Sequence, residues 1–553
     1  MSIYLIQKSS SLQNLTQRPF LIIVLIWLFL TALNINKPFH SDDGFHLEAA
    51  AHIAKEQLKP MSGLVRWDQN EPEPIYKANQ PPFLFYLIAA VGSLFGFGEI
   101  PMHLLLSVFT FLVLFWFYKT SQIVGSKKPL LLTTFLAFCP ALVVNQNIMT
   151  DIPVLAFLLG TYYFWLVAEK TGNRKYLIFS MILLTLGLFT KYIFLPILMA
   201  MAIILIFRKQ YHYLKYLLIP VSFIVLWSCW NYWEFGGIHL LGRSAKPKFS
   251  RLEMLWSYFS CMGCLVAFSL ILFEHFSKKG LKQTNVFKLS GILFMSVLII
   301  YFLPIRFEKY ITHTLEILFV LNGLFIIYFL KKFASKSIKQ SKTSAFLQTD
   351  NGSALILIIC ISMFTILFAP FIAPRHLLLI IPFILLLASE AVAKSSKAVT
   401  IFSLTVSFLL STLLAISDWK YADFYRKTAI EIGEKMPGNA RVWATGTGGW
   451  QWYARQNKMH QYILNYSDVQ TGDYILVAKG LPHYRIDNNL KYTHLGKMVQ
   501  SQDPFTFFSV NRGFSMYHTN FGLPSWTLSK QSTDTIYVLL CVGKETDTDP
   551  PSK

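Results

Sequence analysis

Two carboxylates stand side by side in Ser41-Asp42-Asp43-Gly44-Phe45-His46-Leu47-Glu48, directly after the first long apolar run. A third, Asp151, lies in Asn147-Ile148-Met149-Thr150-Asp151-Ile152-Pro153. Lys191 interrupts Leu188-Phe189-Thr190-Lys191-Tyr192, and Arg375-His376 follows Ala373-Pro374. All four places fall at the ends of apolar runs, where a charge is costly and marks a functional site by default. Each also has a plainer reading. Ser41 can serve as an N-cap, with the two acids in the first turn suiting the positive end of a helix dipole. Asp151 can cap the helix it starts, and Lys191 or Arg375 can snorkel to the interface. Four such coincidences on one face are harder to accept than one. Carboxylates and cations gathered at a membrane surface suit transfer of a sugar from a lipid phosphate. A carboxylate takes the proton of an acceptor hydroxyl as it attacks the anomeric carbon. Negative charge favours an oxocarbenium-like transition state, and Lys or Arg stabilises the departing phosphate.

The elements that must position these residues are membrane helices. The 553 residues are 54% hydrophobic and only 14% charged, against about a quarter charged in soluble domains. Runs such as Phe20–Ile35, Pro129–Val144 and Ile356–Pro370 approach the roughly 20 residues that cross a hydrocarbon core, and they are too long and uniform for barrel strands. The pattern predicts about 13 spans, near 20–36, 100–118, 129–146, 152–168, 176–190, 192–207, 213–230, 254–275, 287–304, 310–330, 353–371, 376–392 and 398–416. The first run lacks a good cleavage site and is read as a retained helix. With the N-terminus in the cytoplasm, the lysine- and arginine-rich connections at 127–128, 169–175, 208–209, 278–282, 331–342 and 394–397 all fall inside, as the positive-inside bias requires. The 37–80 loop, with seven acids and five bases, then falls outside together with Asp151, Lys191, Arg375 and the C-terminal tail. Pro81–Phe97 is apolar, but a crossing there would invert every later loop. It is read as an interfacial or dipping helix, with 14 spans as the alternative. The net charge of +21 is spent on these connections, which excludes nucleic acid as the expected partner.

Beyond residue 418 polar residues return. Short β-rich runs at Arg441–Thr445, Tyr474–Ala478 and Thr535–Cys541, and a helical stretch at Ala422–Lys435 ending in Pro437-Gly438, predict a small α+β extracytoplasmic domain over 419–553. Residues 1–418 form the expected all-α polytopic membrane domain, with its first outer loop at 37–99. Gly446-Thr447-Gly448-Gly449 follows a strand but lacks a full phosphate-loop pattern, so a tight turn is the stronger reading. Cys261 and Cys264 have metal-like spacing but no second pair, which favours helix packing. His40, His46 and His52 turn by about 240° from one to the next on a helix, so they do not share a face. No metal is expected; a divalent ion is possible but not indicated. Trp67, Tyr76 and Trp233 could stack on a sugar ring, although interfacial anchoring is the commoner use of such residues.

In order and spacing, residues 15–415 resemble the GT-C superfamily of polytopic glycosyltransferases, in the branch of protein O-mannosyltransferases and lipid A aminoarabinose transferases (glycosyltransferase family 39-like). Asp42-Asp43 stands where that family carries an acidic pair after its first membrane helix, followed by Phe45 and Glu48-Ala49-Ala50-Ala51. Gln80-Pro81-Pro82 stands at its His-Pro-Pro or Lys-Pro element, and Met149–Pro153, Gly187–Tyr192 and Arg375–Leu378 match three further elements. The resemblance implies a GT-C fold and a polyprenyl-phosphate-linked sugar donor. It implies a hydroxyl acceptor (protein, lipid or glycan), hexosyl or pentosyl transfer, and residence in a bacterial plasma membrane. It implies Asp42 as the catalytic base, with Asp43 and Asp151 orienting acceptor and donor. Lys191 and Arg375 would contact the lipid phosphate, and His46, Tyr76 and Gln80 would position substrate. Two departures stand out. Asp43 replaces the commoner Glu, and Gln80 replaces His or Lys, so that phosphate or metal binding at that point would be either absent or shifted to Lys77. Two other readings remain open: a transporter or flippase of a lipid-linked or polar substrate, and a non-catalytic membrane subunit that binds through its tail.

Overall fold

The computed structural model describes residues 18–66, 72–78, 80–242, 249–277, 281–438, 440–481, 485–500, 505–509, 513–518 and 520–544; Trp67 lies outside them. Seven described helices are long and apolar enough to cross a membrane: Glu99–Ile123, Asp151–Thr171, Tyr211–Phe235, Gln283–Phe302, Ile305–Ser341, Asp350–Phe368 and Lys397–Lys435. Arg251–Leu265 and Ser269–Phe276, which meet at a bend of 92°, make an eighth if they form one span. Side chains such as Phe287, Ile292 and Phe294 remain exposed on these helices. An apolar belt of this kind belongs against acyl chains, and the chain is a multi-pass membrane protein.

These helices are fewer than the 13 spans expected: those at 20–36, 176–190 and 192–207 are shorter, as Pro19–Asn34, Arg174–Leu188 and Tyr192–Phe207, and two further runs are broken. The 129–146 run divides into Pro129–Ala137 and Pro140–Val144, because Pro140 offers no amide and holds Cys139 extended. The 376–392 run divides into Pro374–Leu377, Ile381–Leu387 and Ser389–Lys394. All of Pro140–Val144 and Ile381–Leu387 is buried in protein, the setting in which broken helices are tolerated at membrane depth. Pro81–Phe97 contains the 13-residue helix Phe83–Phe95, about 20 Å long at 1.5 Å per residue and short of the roughly 30 Å core.

The expected helices at 398–416 and 422–435 are one helix, Lys397–Lys435, without a break. It leads into a five-stranded sheet built from β3 (Val442–Thr445), β4 (His460–Gln461), β5 (Tyr474–Ala478), β6 (Leu490–Val499) and β7 (Thr535–Lys544) in the order β4-β3-β5-β7-β6. A two-stranded ribbon of β1 (Leu64–Val65) and β2 (Glu73–Pro74) lies in the first loop. In the large sheet β3 runs parallel to β4 and β5, and β7 antiparallel to β5 and β6. Alternate residues on a strand face opposite sides. Val442, Ala444, Leu476, Ala478 and Ile536 join the apolar core that continues into the helical bundle. Trp443, Ile475, Leu539 and Cys541 form a separate core on the other face with Tyr462 and Val469. β6, at one edge of the sheet, is nearly all exposed, so it carries no one-sided apolar alternation and was not legible in the sequence.

Candidate active site

The loop that leaves the first helix turns sharply at Ser41, whose φ of 51° is left-handed. A non-glycine residue held there costs on the order of 1–3 kcal/mol. Ser41 is not the N-cap. Asp42 occupies that position, with no side-chain capping bond, on the helix Asp43–Lys55, and the Ser41 hydroxyl donates to Asp42 Oδ1 at 3.3 Å. The Asp42 carboxylate is used elsewhere: Arg375, far along the chain, donates from its guanidinium to Asp42 Oδ2 at 3.0 Å.

The helix-starting Asp151 and the connection at Lys191 complete the cluster. Lys191 Nζ donates to Asp151 Oδ1 at 2.8 Å, and the Arg375 guanidinium lies 3.9 Å from Asp151 Oδ2. The order is therefore Asp42, Arg375, Asp151, Lys191, with charges alternating. Arg375 also reaches Met149 Sδ at 3.4 Å, while its Nε is buried without a hydrogen-bond partner among the described residues. Asp42 is the most open of the four, its side chain 23% exposed against 10% for Arg375, 7% for Asp151 and 16% for Lys191. Of the three protons on the Lys191 ammonium, one is engaged by Asp151.

Asp43 takes the opposite environment from its neighbour. It is completely buried, and Oδ2 accepts the backbone N–H of His40 at 2.8 Å. Burial pushes its carboxyl up to about 8, against the pull of that hydrogen bond and of Lys37, so it is neutral at pH 7. Asp43→Asn preserves the acceptor and the neutral charge, and turnover near the wild-type level at pH 7 is expected. The sign also sets a stability profile. A carboxyl whose folded pKa exceeds its unfolded value disfavours folding once the unfolded chain ionises, so this site costs stability as pH rises from about 4 to about 8. Thermal unfolding of Asp43→Asn compared with wild type at pH 6 and pH 8.5 checks it. The variant's advantage should grow with pH, and a constant difference would contradict the burial argument.

The remaining expected site residues separate into two groups. His46 is buried against Phe85 at 5.2 Å between ring centroids and its Nδ1 meets the Ile148 carbonyl, which requires the proton on Nδ1. Burial lowers its pKa; it links the acidic loop to the Asp151 loop as a neutral ring. Tyr76 stacks on Phe235 at 4.3 Å and lies 5.4 Å from His239. The His239 ring meets the Tyr192 hydroxyl at 2.8 Å, which also accepts from Trp227 Nε1 at 3.1 Å. That aromatic group adjoins Lys191 through Tyr192. Lys77 is exposed and Gln80 half-buried, and among the described residues neither is bonded to the four-charge cluster.

Sequence reasoning missed a second network behind the acidic pair. Lys37 is fully buried, its ammonium 2.6 Å from Asp418 Oδ2 and 2.6 Å from Asn147 Oδ1, with Val144 O at 2.9 Å. The Tyr517 hydroxyl donates to Asp418 Oδ2 at 2.6 Å. His40 Nε2 lies 3.6 Å from Asp418 Oδ1, but burial lowers the His40 pKa to about 4, so it faces Asp418 as a neutral ring. The usable signals were Lys37 directly after an apolar helix and Asp418 inside another; nothing local links them to Tyr517. The glycine-rich element is also explained. A Cβ on Gly449 would fall 2.1 Å from Phe39 O, one on Gly448 2.7 Å from Ser41 O, and one on Gly44 2.7 Å from Gly448 O. These glycines let the tail lie directly on the acidic loop, and Gly446 and Gly448 also have positive φ, as a turn requires.

Residues 79–233 match the family described as dolichyl-phosphate-mannose-protein mannosyltransferase. No curated protein sequence matches the chain. Among solved structures, ArnT from Cupriavidus metallidurans bound to undecaprenyl phosphate is similar with a TM-score of 0.54 at 10% identity, over 95% of this chain and 98% of that one. Its apo state gives 0.50 at 10% identity, over 85% and 94%. The archaeal oligosaccharyltransferase AglB from Archaeoglobus fulgidus, in complex with an inhibitory peptide and a dolichol-phosphate, gives 0.46 at 14% identity, over 82% and 62%.

Proposed function

We propose that this chain, a GT-C superfamily protein of the O-mannosyltransferase and ArnT-like type, transfers a sugar from a polyprenyl-phosphate donor to a hydroxyl acceptor at the outer face of a plasma membrane. In this reading the N-terminus is cytoplasmic, and the region from 419 lies outside as a domain on the membrane unit 1–418. The observation that carries the reading is the convergence of Asp42, Arg375, Asp151 and Lys191 from four separate segments. Asp42, the most open carboxylate, removes the acceptor hydroxyl proton. The acceptor oxygen bonds to the anomeric carbon as the carbon–oxygen bond to phosphate breaks, and polyprenyl phosphate leaves with the bonding electrons. Lys191 and Arg375 hold that phosphate, and Asp151 sets the direction of both cations. The donor phosphate replaces Asp42 on Arg375, which frees the carboxylate as a base.

The phosphate role is tested by Lys191→Met in purified, folded protein. Loss of one preorganised cation at a leaving phosphate should lower turnover by roughly 10²–10³-fold. A variant with unchanged release of polyprenyl phosphate would remove Lys191 from the reaction.

A further inference from the structure

We infer that the C-terminal region acts as a clamp on the acidic loop, with Tyr453 as a positioning residue that holds Asp42 in reacting geometry. This rests on the reading of Asp42 as the base and gives the tail a part in the transfer itself.

The contacts concentrate on residues 37–48. The Tyr453 hydroxyl accepts the buried backbone N–H of Phe39 at 2.8 Å and donates to Glu99 Oε1 at 2.8 Å. Its ring lies stacked on that of Phe39, 6.2 Å between centroids and 19° between planes. At the other end of the loop Glu48 Oε1 accepts from Gln451 at 2.9 Å and from Arg455 at 2.6 Å. Between them, Gly448 and Gly449 bring the tail backbone against Phe39, Ser41 and Gly44, where no side chain would fit. Below, Tyr517 closes the Lys37–Asp418 pair.

The loop needs such support. Asp42 has no capping bond to its own helix, and Ser41 before it holds a left-handed backbone, a conformation that persists only where the surroundings over-determine it. The tail supplies part of those surroundings, at Phe39, Ser41, Gly44 and Glu48. With the tail withdrawn, the Phe39 N–H loses its acceptor, Glu48 loses Gln451 and Arg455, and the turn at Ser41 is free to relax. Misplacing a catalytic group by about 1 Å can cost 10²-fold, so clamp contacts should be read in kcat. Donor KM should be little affected, because Lys191 pairs with Asp151 at 2.8 Å and Arg375 keeps Asp151 within 3.9 Å whatever the position of Asp42. The glycine-rich element has no room for a phosphate at its closest face, because the loop carbonyls occupy it.

The experiment uses the full chain in nanodiscs with two substitutions of different kind, Tyr453→Phe and Gly449→Ala. Hydrogen exchange of residues 39–46 is compared with that of β5 and β7, and turnover is measured beside Asp42→Asn. Faster exchange confined to 39–46, with kcat lowered roughly tenfold or more and donor KM nearly constant, is the expected result. Exchange at 39–46 that stays at the wild-type level in both variants would overturn the clamp. Full turnover in both variants, with Asp42→Asn inactive, would overturn it while leaving the base assignment intact. An active Asp42→Asn would instead remove the base and with it the positioning role, whatever the exchange shows.

Discussion

Asp42→Asn should leave a folded protein that turns over donor 10²–10⁴-fold more slowly, the usual contribution of a positioned general base. The substitution keeps the shape and one acceptor oxygen, and removes the group that takes the proton. It also removes the negative partner of Arg375 at 3.0 Å, but Asp151 remains within 3.9 Å of that guanidinium, so Arg375 is not left without a counter-charge. Donor binding should therefore persist. Thermal unfolding should change little, since Asp42 is the least buried of the four charges and makes no cap bond. The check is single-turnover release of polyprenyl phosphate beside a binding measurement with the same donor. Loss of turnover with binding retained fits the account. Equal loss of both would make Asp42 a binding residue, and unchanged turnover would return the acidic pair to a purely structural role.

Lys37→Met should be the most damaging single substitution for the fold. It strands the Asp418 carboxylate, 1% exposed, which among the described residues keeps the Tyr517 hydroxyl and the neutral His40 ring as partners. Removing one partner of a buried pair costs about 3–5 kcal/mol, a large part of the total for a marginally stable chain. The double variant Lys37→Met with Asp418→Leu should recover part of that loss. It removes the uncompensated charge and leaves Asn147 Oδ1 and the Tyr517 hydroxyl short of a partner. Thermal midpoints of the two variants and wild type in the same detergent decide it: the single variant lowest, the double between it and wild type. A single variant that unfolds with wild type would show that water or a rearrangement satisfies Asp418.

The contrast between these two sites explains what the sequence discloses. Asp42, Asp151, Lys191 and Arg375 are legible because each is a charge in apolar surroundings, and that cost is local. Which of them touch is not local: Arg375 reaches Asp42 across most of the chain, and only the fold reports it. Asp43 shows the limit from the other side. Its sequence position equals that of its neighbour, yet one carboxylate is open and the other entirely buried, a difference created by the direction of one turn at Ser41. Lys37, Asp418 and Tyr517 are likewise ordinary residues until three distant segments meet. For the fold, apolar length fixes the class, while Pro140 and Pro382 lie at breaks in runs that length alone reads as continuous spans. β3, β5 and β7 are visible from their buried apolar residues. β6 is invisible because exposure on both faces leaves it no periodic pattern. The glycines at 446–449 read correctly as a turn, but their second use, admitting the acidic loop at backbone distance, depends on residues some four hundred positions earlier.

The central claim is that the sugar–phosphate bond breaks. The most direct measurement reconstitutes the purified protein in liposomes with a panel of polyprenyl-phosphate sugars and a crude acceptor extract, and follows free polyprenyl phosphate together with the leaflet in which intact donor resides. Transfer predicts release of polyprenyl phosphate with one of the donors, matched by sugar gained in the acceptor fraction. Intact donor moving between leaflets, with no polyprenyl phosphate released from any member of the panel, would contradict it and make the charged cluster part of a lipid transport path.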